Sequence, residues 1–175
     1  AGIFVMVNAG DGRGRSAKNV RSVRALFVDL DGAPMSTLAN SPLAPHFVIE
    51  SSPCRWHAYW LVRDCPLVDF RGHQQALASR FGGDLRVCDL ARLMRLPGFN
   101  HRKRAPYQSR IVEARELPPY EIANLVAAFG LATSAPARTS VKSLPERISK
   151  GERNDTLFSL AVGLVNSGYL AADVA

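Results

Sequence analysis

The sequence predicts a mixed α/β fold, and three stretches carry that expectation. Residues 24–31 (RALFVDLD) are apolar on both faces until their two aspartates, as in a strand covered on both sides. Residues 46–52 (HFVIESS) and 55–62 (RWHAYWLV) are β-rich runs separated only by Pro53 and Cys54, which predicts a hairpin with a short irregular turn. Residues 68–83 place Val68, Phe70, Ala76, Leu77 and Phe81 in a helical pattern and end on two glycines, a helix with a glycine stop.

The remaining elements follow in order. Residues 2–8 (GIFVMVN) read as a strand, so the chain is expected to begin inside the fold. Residues 8–20 form a glycine-rich, basic connection with a short helix at its end. After the central helix, residues 91–104 (ARLMRLPGFNHRKR) start as a short helix or turn and end in a loop forced by Pro97 and Gly98. Residues 108–116 are a strand, and 118–131 (PPYEIANLVAAFGL) a helix opened by proline. Residues 132–143 have linker composition, and 151–175 form a separate helical pattern that stops without a cap. The sequence is therefore expected to be cut at both ends.

Composition bounds the function classes. The 175 residues carry 22 Lys and Arg against 15 Asp and Glu, a net charge of +7, and 47% are hydrophobic. Such a chain supports a packed core and is neither a disordered tail, a collagen nor a low-complexity array. It contains no run of about 18 uncharged apolar residues and no signal-peptide pattern, so no membrane partner is expected and the cytoplasm is the default compartment. Cys54, Cys65 and Cys88, odd in number and irregular in spacing, argue against a disulfide framework. Cys54 and His57 have the spacing of half a zinc site, but no second half follows.

The charge is unevenly placed. No acidic residue lies between Asp89 and Glu113, a stretch holding Arg92, Arg95, Arg102, Lys103, Arg104 and Arg110. A second group, Arg13, Arg15, Lys18, Arg21 and Arg24, is offset only by Asp11. Clusters of this kind are the footprint of phosphate or nucleic-acid contact, or else a solvated basic face. The sharpest chemistry is Asp29 and Asp31. Side chains two apart on a strand share a face, so both carboxylates project together beside Phe27. Adjacent like charges at the end of an apolar strand are costly unless a cation neutralises them, and Mg²⁺ or Mn²⁺ suits such oxygen donors. The alternative is a simple turn at Asp31-Gly32. Ser52, Arg55 and His57 lie around the mouth of the hairpin, where an Arg fork and an imidazole suit a triphosphate. Trp56 and Trp60 share the face opposite His57 and read as core.

Three segments in this order and spacing, ALFVDLDG (25–32), SSPCRWHAYW (51–60) and DLRVCDLARLMRLPGFNHRK (84–103), resemble the three motifs of the archaeo-eukaryotic primase superfamily, specifically the RepB-type primase domains of phages and plasmids. Asp29 and Asp31 match the acidic pair, Arg55 and His57 the second motif, and Val87, Cys88 and Asp89 the third. Pro53 and Arg55 stand where glycines are common in the family. The run 95–103 resembles the stretch that follows the last aspartate, and 151–164 the start of a trailing helical domain.

The resemblance implies an RRM-like antiparallel sheet with flanking helices. Its domains would be a catalytic core over 1–112, a helix and linker over 113–145, and the start of a C-terminal helical domain over 146–175. It implies a DNA primase-polymerase that makes primers on single-stranded DNA from NTP or dNTP, with a helicase in the same or an associated chain as a candidate partner. Two-metal nucleotidyl transfer would use Asp29, Asp31 and Asp89 as catalytic and metal-binding carboxylates with two Mg²⁺ or Mn²⁺ ions. Asp89 has a bland alternative as the cap of the following turn, and Asp84 is the rival third carboxylate. Ser52, Arg55, His57, Arg95 and Lys103 would hold the nucleotide, and Arg13, Arg15, Asn100, Arg102 and Arg104 the DNA. Two other classes stay open: a non-catalytic origin- or single-strand-binding module, and a metal-dependent nuclease.

Overall fold

A computed structural model describes residues 2–101 and 105–131. The residues expected to form the linker and a trailing helical domain, and Arg102, Lys103 and Arg104, lie outside the described residues. The main sheet holds β4 (Ala25–Asp31), β5 (Phe47–Ser52), β6 (Arg55–Arg63), β10 (Arg110–Ala114) and β11 (Tyr120–Glu121). β6 is flanked by antiparallel β5 and β4, β10 extends the sheet beyond β5, and β11 runs parallel to Val62 and Arg63. The expected β5–β6 hairpin is present, its turn made by Pro53 and by Cys54 at φ 60°.

Strand alternation divides the chemistry. On the face of Trp60, which is fully buried, the indole stacks on Phe81 at 5.3 Å and meets Phe129 edge-on at 5.5 Å. Phe81 ends α1 (Phe70–Phe81) and Phe129 ends α2 (Ile122–Phe129), so this face carries the helices. The opposite face carries Phe27, Asp29 and Asp31 from β4 and Arg55, His57 and Tyr59 from β6. Here the ladder pairs Asp29 with His57 and Asp31 with Arg55. α1 stops where Gly82 turns left-handed at φ 67°, the glycine stop expected from sequence.

The outer edge of β4 is closed by α1 rather than by a strand. The buried Gln74 amide accepts from the Phe27 N–H at 3.1 Å, donates to the Phe27 carbonyl, and donates to the Val87 carbonyl at 3.1 Å. Two residues beyond Phe27, the Asp84 N–H donates to the Asp29 carbonyl at 3.1 Å. Gly83 makes that approach feasible, since a Cβ there would stand 3.1 Å from the same oxygen.

Three smaller ladders complete the described residues. β1 (Phe4–Met6) pairs antiparallel with β7 (Leu93–Arg95), β2 (Ala9–Gly10) with β3 (Val20–Ser22), and β8 (Asn100–His101) with β9 (Tyr107–Gln108). Residues 91–104 open with the expected turn, the Arg92 N–H donating to the Asp89 carbonyl at 3.1 Å, and the correction is that Leu93–Arg95 then form β7. A partner almost ninety residues away supplies its ladder, a long-range preference that local pattern does not carry. A second correction concerns 118–131: Pro118 and Pro119 precede β11, and the helix starts only at Ile122. The short helix at the end of the basic connection is a 3₁₀ turn, Ala17–Asn19. All three cysteines are free, as expected. Among the described residues no helix is long and apolar enough to cross a membrane.

Candidate active site

A cleft of about 190 Å³ opens on the carboxylate face. It is lined by Asp29, Asp31, Ser52, Arg55, His57 and Arg95, so six of the thirteen site residues expected from sequence converge on one cavity. The main sheet supplies five of them, and Arg95 arrives from β7.

The electrostatics follow from burial. The side chain of Asp29 is only 26% exposed. Desolvation, with the like charges of Asp31 and Asp84, raises its carboxyl from 3.8 to about 6, opposed by Arg55 and Arg92. Asp31 stands further out and is paired with Arg55 at 2.5 Å, both side chains about half exposed. His57 lies 3.6 Å from Asp29 through Nε2. Burial, reinforced by the Arg95 charge, lowers its imidazole from 6.5 to about 4. At neutral pH the contact is therefore between a neutral imidazole and a carboxylate, not an ion pair. The Tyr59 hydroxyl sits 3.3 Å from His57 Nδ1, and burial keeps that phenol protonated.

The third carboxylate is not brought into the cleft. Asp89 bonds to Arg92, and Arg92 is the residue that lines the cavity. Arg92 also donates to the Arg86 carbonyl at 2.9 Å and presents a buried Nε with no hydrogen-bond partner. The rival Asp84 lies beside the Asp29 backbone and is held by Arg86 through two side-chain contacts. Among the described residues no group of three or more His, Cys, Asp or Glu is spaced to hold a metal ion.

Of the expected DNA-binding residues, Arg13 and Arg15 line a separate cleft of about 550 Å³ together with Arg24. Their loop is folded around Asp11, which accepts from the Arg13 N–H at 2.9 Å and pairs with Arg21 at 3.1 Å. Asn100 is exposed at the start of β8, and its neighbour His101 lines the carboxylate cleft. The turn before β8 is pinned: Gly98, at φ 90°, donates to the Ser109 carbonyl at 2.6 Å, and the buried Ser109 hydroxyl lies within 3.1 Å of the Leu96 and Phe99 carbonyls.

Phe4, Ser51, Arg92 and His101 also line the cleft, and sequence reasoning did not place them there. Arg92 had a signal in the acid-free basic run. Phe4 had none, because its place depends on the β1–β7 pairing.

Residues 11–126 match the RepB DNA-primase N-terminal domain. No curated protein sequence matches the chain. Among solved structures the chain is similar to the AEP domain of the cyanophage S-2L primase-polymerase, with 23% identity over 73% of this chain and 70% of that one and a TM-score of 0.62. That likeness is one of fold, and it agrees with the mixed sheet-and-helix architecture. The catalytic domain of primase RepB′, solved with initiator DNA, is 28% identical over 55% of this chain and 53% of that one, with a TM-score of 0.44. Since the matched region spans well over half of the sequence and contains both acidic strand residues and the hairpin histidine, the chain belongs to the RepB DNA-primase N-terminal domain family.

Proposed function

We propose that this domain is a DNA primase-polymerase of a phage, prophage or plasmid replication system, and that the carboxylate cleft joins NTP or dNTP into a primer on single-stranded DNA. The observation that carries the reading is the β4–β6 register, which sets Asp29 against His57 and Asp31 against Arg55 within one cavity. Family membership supports the same reading.

The donor set fits a hard divalent cation. Two carboxylates project from one strand face, and Asp29 is held protonated up to about pH 6 by burial and by its neighbours, penalties that a cation removes. Asp29 and Asp31 would hold Mg²⁺ or Mn²⁺, with Asp89 as third carboxylate once released from Arg92. When bound, two such ions supply activation of a 3′-hydroxyl and charge neutralisation on the triphosphate and departing pyrophosphate.

The chain's own groups bind and orient. With the Tyr59 O–H donating to His57 Nδ1, 3.3 Å away, the neutral ring would carry its proton on Nε2. Nε2 then faces the cleft as a donor for a phosphate oxygen. Arg55 bonds Asp31 through one nitrogen and retains N–H groups for the triphosphate. Arg92 and Arg95 bring positive charge to the same cavity, and Ser52 a hydroxyl. Lys103 joins this nucleotide set, and Arg13, Arg15, Asn100, Arg102 and Arg104 track the template backbone.

The test is incorporation of labelled NTP or dNTP on single-stranded DNA with Mg²⁺ or Mn²⁺, for the wild type and for Asp31→Ala. Metal-dependent extension that is lost in the variant supports the reading. DNA binding without product identifies a binding module, and shortened strands a nuclease.

A further inference from the structure

Gly2 and Phe4 lie two apart, and Phe4 is the β1 residue directly opposite Arg95. The Arg95 guanidinium lies over the Phe4 ring, 4.8 Å from its centroid. It also passes across Gly2, where a Cβ would overlap Arg95 Nη1. The backbones are tied on both sides of this contact, by Leu96 N–H to the Ile3 carbonyl at 3.0 Å and Val7 N–H to the Arg92 carbonyl at 3.1 Å. Phe4 is 50% exposed and contributes little to the core, yet it lines the active cleft. An aromatic face offered to a cation is the use that this placement gives it. Phe4 comes from β1, outside the segment 11–126 that matches the family, and Arg95 from within it.

We propose that Phe4, with Gly2, is a positioning residue that orders Arg95 for the phosphates of the incoming nucleotide. The inference rests on the reading of the cleft as a nucleotide site. A free arginine side chain carries large rotamer entropy, and a phosphate contact must overcome it. Holding the guanidinium on the ring before the ligand arrives reduces that cost and raises affinity.

The test uses inorganic triphosphate in Mg²⁺ buffer, titrated calorimetrically into the full chain and its Phe4→Leu, Phe4→Trp, Arg95→Ala and Phe4→Leu/Arg95→Ala variants. Loss of one exposed cation–π contact weakens binding about two- to fivefold in Phe4→Leu. Phe4→Trp keeps near-wild-type affinity, and Phe4→Leu adds nothing once Arg95 is alanine. In synthesis assays the KM for nucleotide rises by the same factor in Phe4→Leu, while kcat and single-stranded DNA affinity hold. Unchanged triphosphate affinity in Phe4→Leu, or an additive loss in the double variant, overturns the proposal. The Arg95 Nε–H resonance, assigned by its absence from Arg95→Ala, reads the clamp without any ligand. Ordered relaxation in the wild type and Phe4→Trp, averaged in Phe4→Leu, supports it; identical relaxation in all three overturns it. If Arg95→Ala binds triphosphate as well as the wild type, the nucleotide reading of the cleft falls, a result separate from the relaxation outcome.

Discussion

Replacing Asp29 with asparagine should stabilise the metal-free protein while removing its response to metal. The folded-state carboxyl titrates near 6, above its ordinary 3.8. The native state therefore binds the Asp29 proton more tightly than the unfolded chain does. The associated stability is complete below about pH 3.8 and is lost as pH rises through 6. At 1.36 kcal/mol per tenfold, the rise from 3.8 to about 6 sets a ceiling near 3 kcal/mol, and the 26% of the side chain still in water reduces it to about 2 kcal/mol. Asparagine is uncharged at every pH, so Asp29→Asn should match the wild type near pH 4 and exceed it by about 2 kcal/mol at pH 7.5, or roughly 4–8 °C in Tm. His57 contributes with the opposite sign, since its folded value near 4 lies below 6.5 and its stability is lost as pH falls through that window. It is present in both proteins and cancels in the difference. The assay is thermal unfolding in chelator from pH 4 to 8, repeated with Mg²⁺ or Mn²⁺. Metal at a hundred times its Kd raises wild-type stability by about 2.7 kcal/mol and leaves the variant unchanged. Equal melting of the two proteins at pH 7.5 in chelator would refute the assignment of Asp29 as a charge destabilised by its surroundings.

Three further outcomes follow from the same geometry. Tyr59→Phe removes the hydroxyl that lies 3.3 Å from His57 Nδ1 and, as proposed, sets its tautomer, so the KM for nucleotide should rise about two- to tenfold, with kcat and DNA affinity unchanged; equal loss of DNA affinity would give Tyr59 a packing role. Neutralising Arg13 and Arg15 together should weaken single-stranded DNA binding for every sequence and reduce the salt slope by about 0.7 per lost phosphate contact, read by anisotropy over a salt series; an unchanged slope would remove that cleft from the DNA path. Gln74→Leu leaves the Phe27 N–H and two carbonyls without their side-chain partner, at about 1–3 kcal/mol for each buried group, so denaturant unfolding should show a loss of several kcal/mol.

How much of this was legible in the sequence depends on the range of each interaction. β4, the β5–β6 hairpin and α1 follow local rules, namely apolar runs, a two-residue turn and a glycine stop, and the structure has all of them. Strand periodicity implies that Asp29 and Asp31 share a face; that Arg55 and His57 lie opposite them depends on the β4–β6 register, which no local pattern carries. β7 was not legible, because Leu93–Arg95 becomes a strand only through β1, and with it the roles of Phe4 and of the Arg95 clamp were hidden. The place of Asp89 was also beyond pattern: the sequence suggests a metal carboxylate, with a turn cap as the alternative, and the structure pairs it with Arg92 three residues on.

The Gln74 bridge and the Asp84 backbone occupy hydrogen-bonding positions that an open strand edge would offer to a second molecule. At the far side of the sheet β10 is bulged between Ile111 and Glu113 and carries Arg110 and Glu113, features that discourage strand addition there too. Sealed at one border and kinked at the other, this sheet can be crowded at high concentration without its copies joining edge to edge.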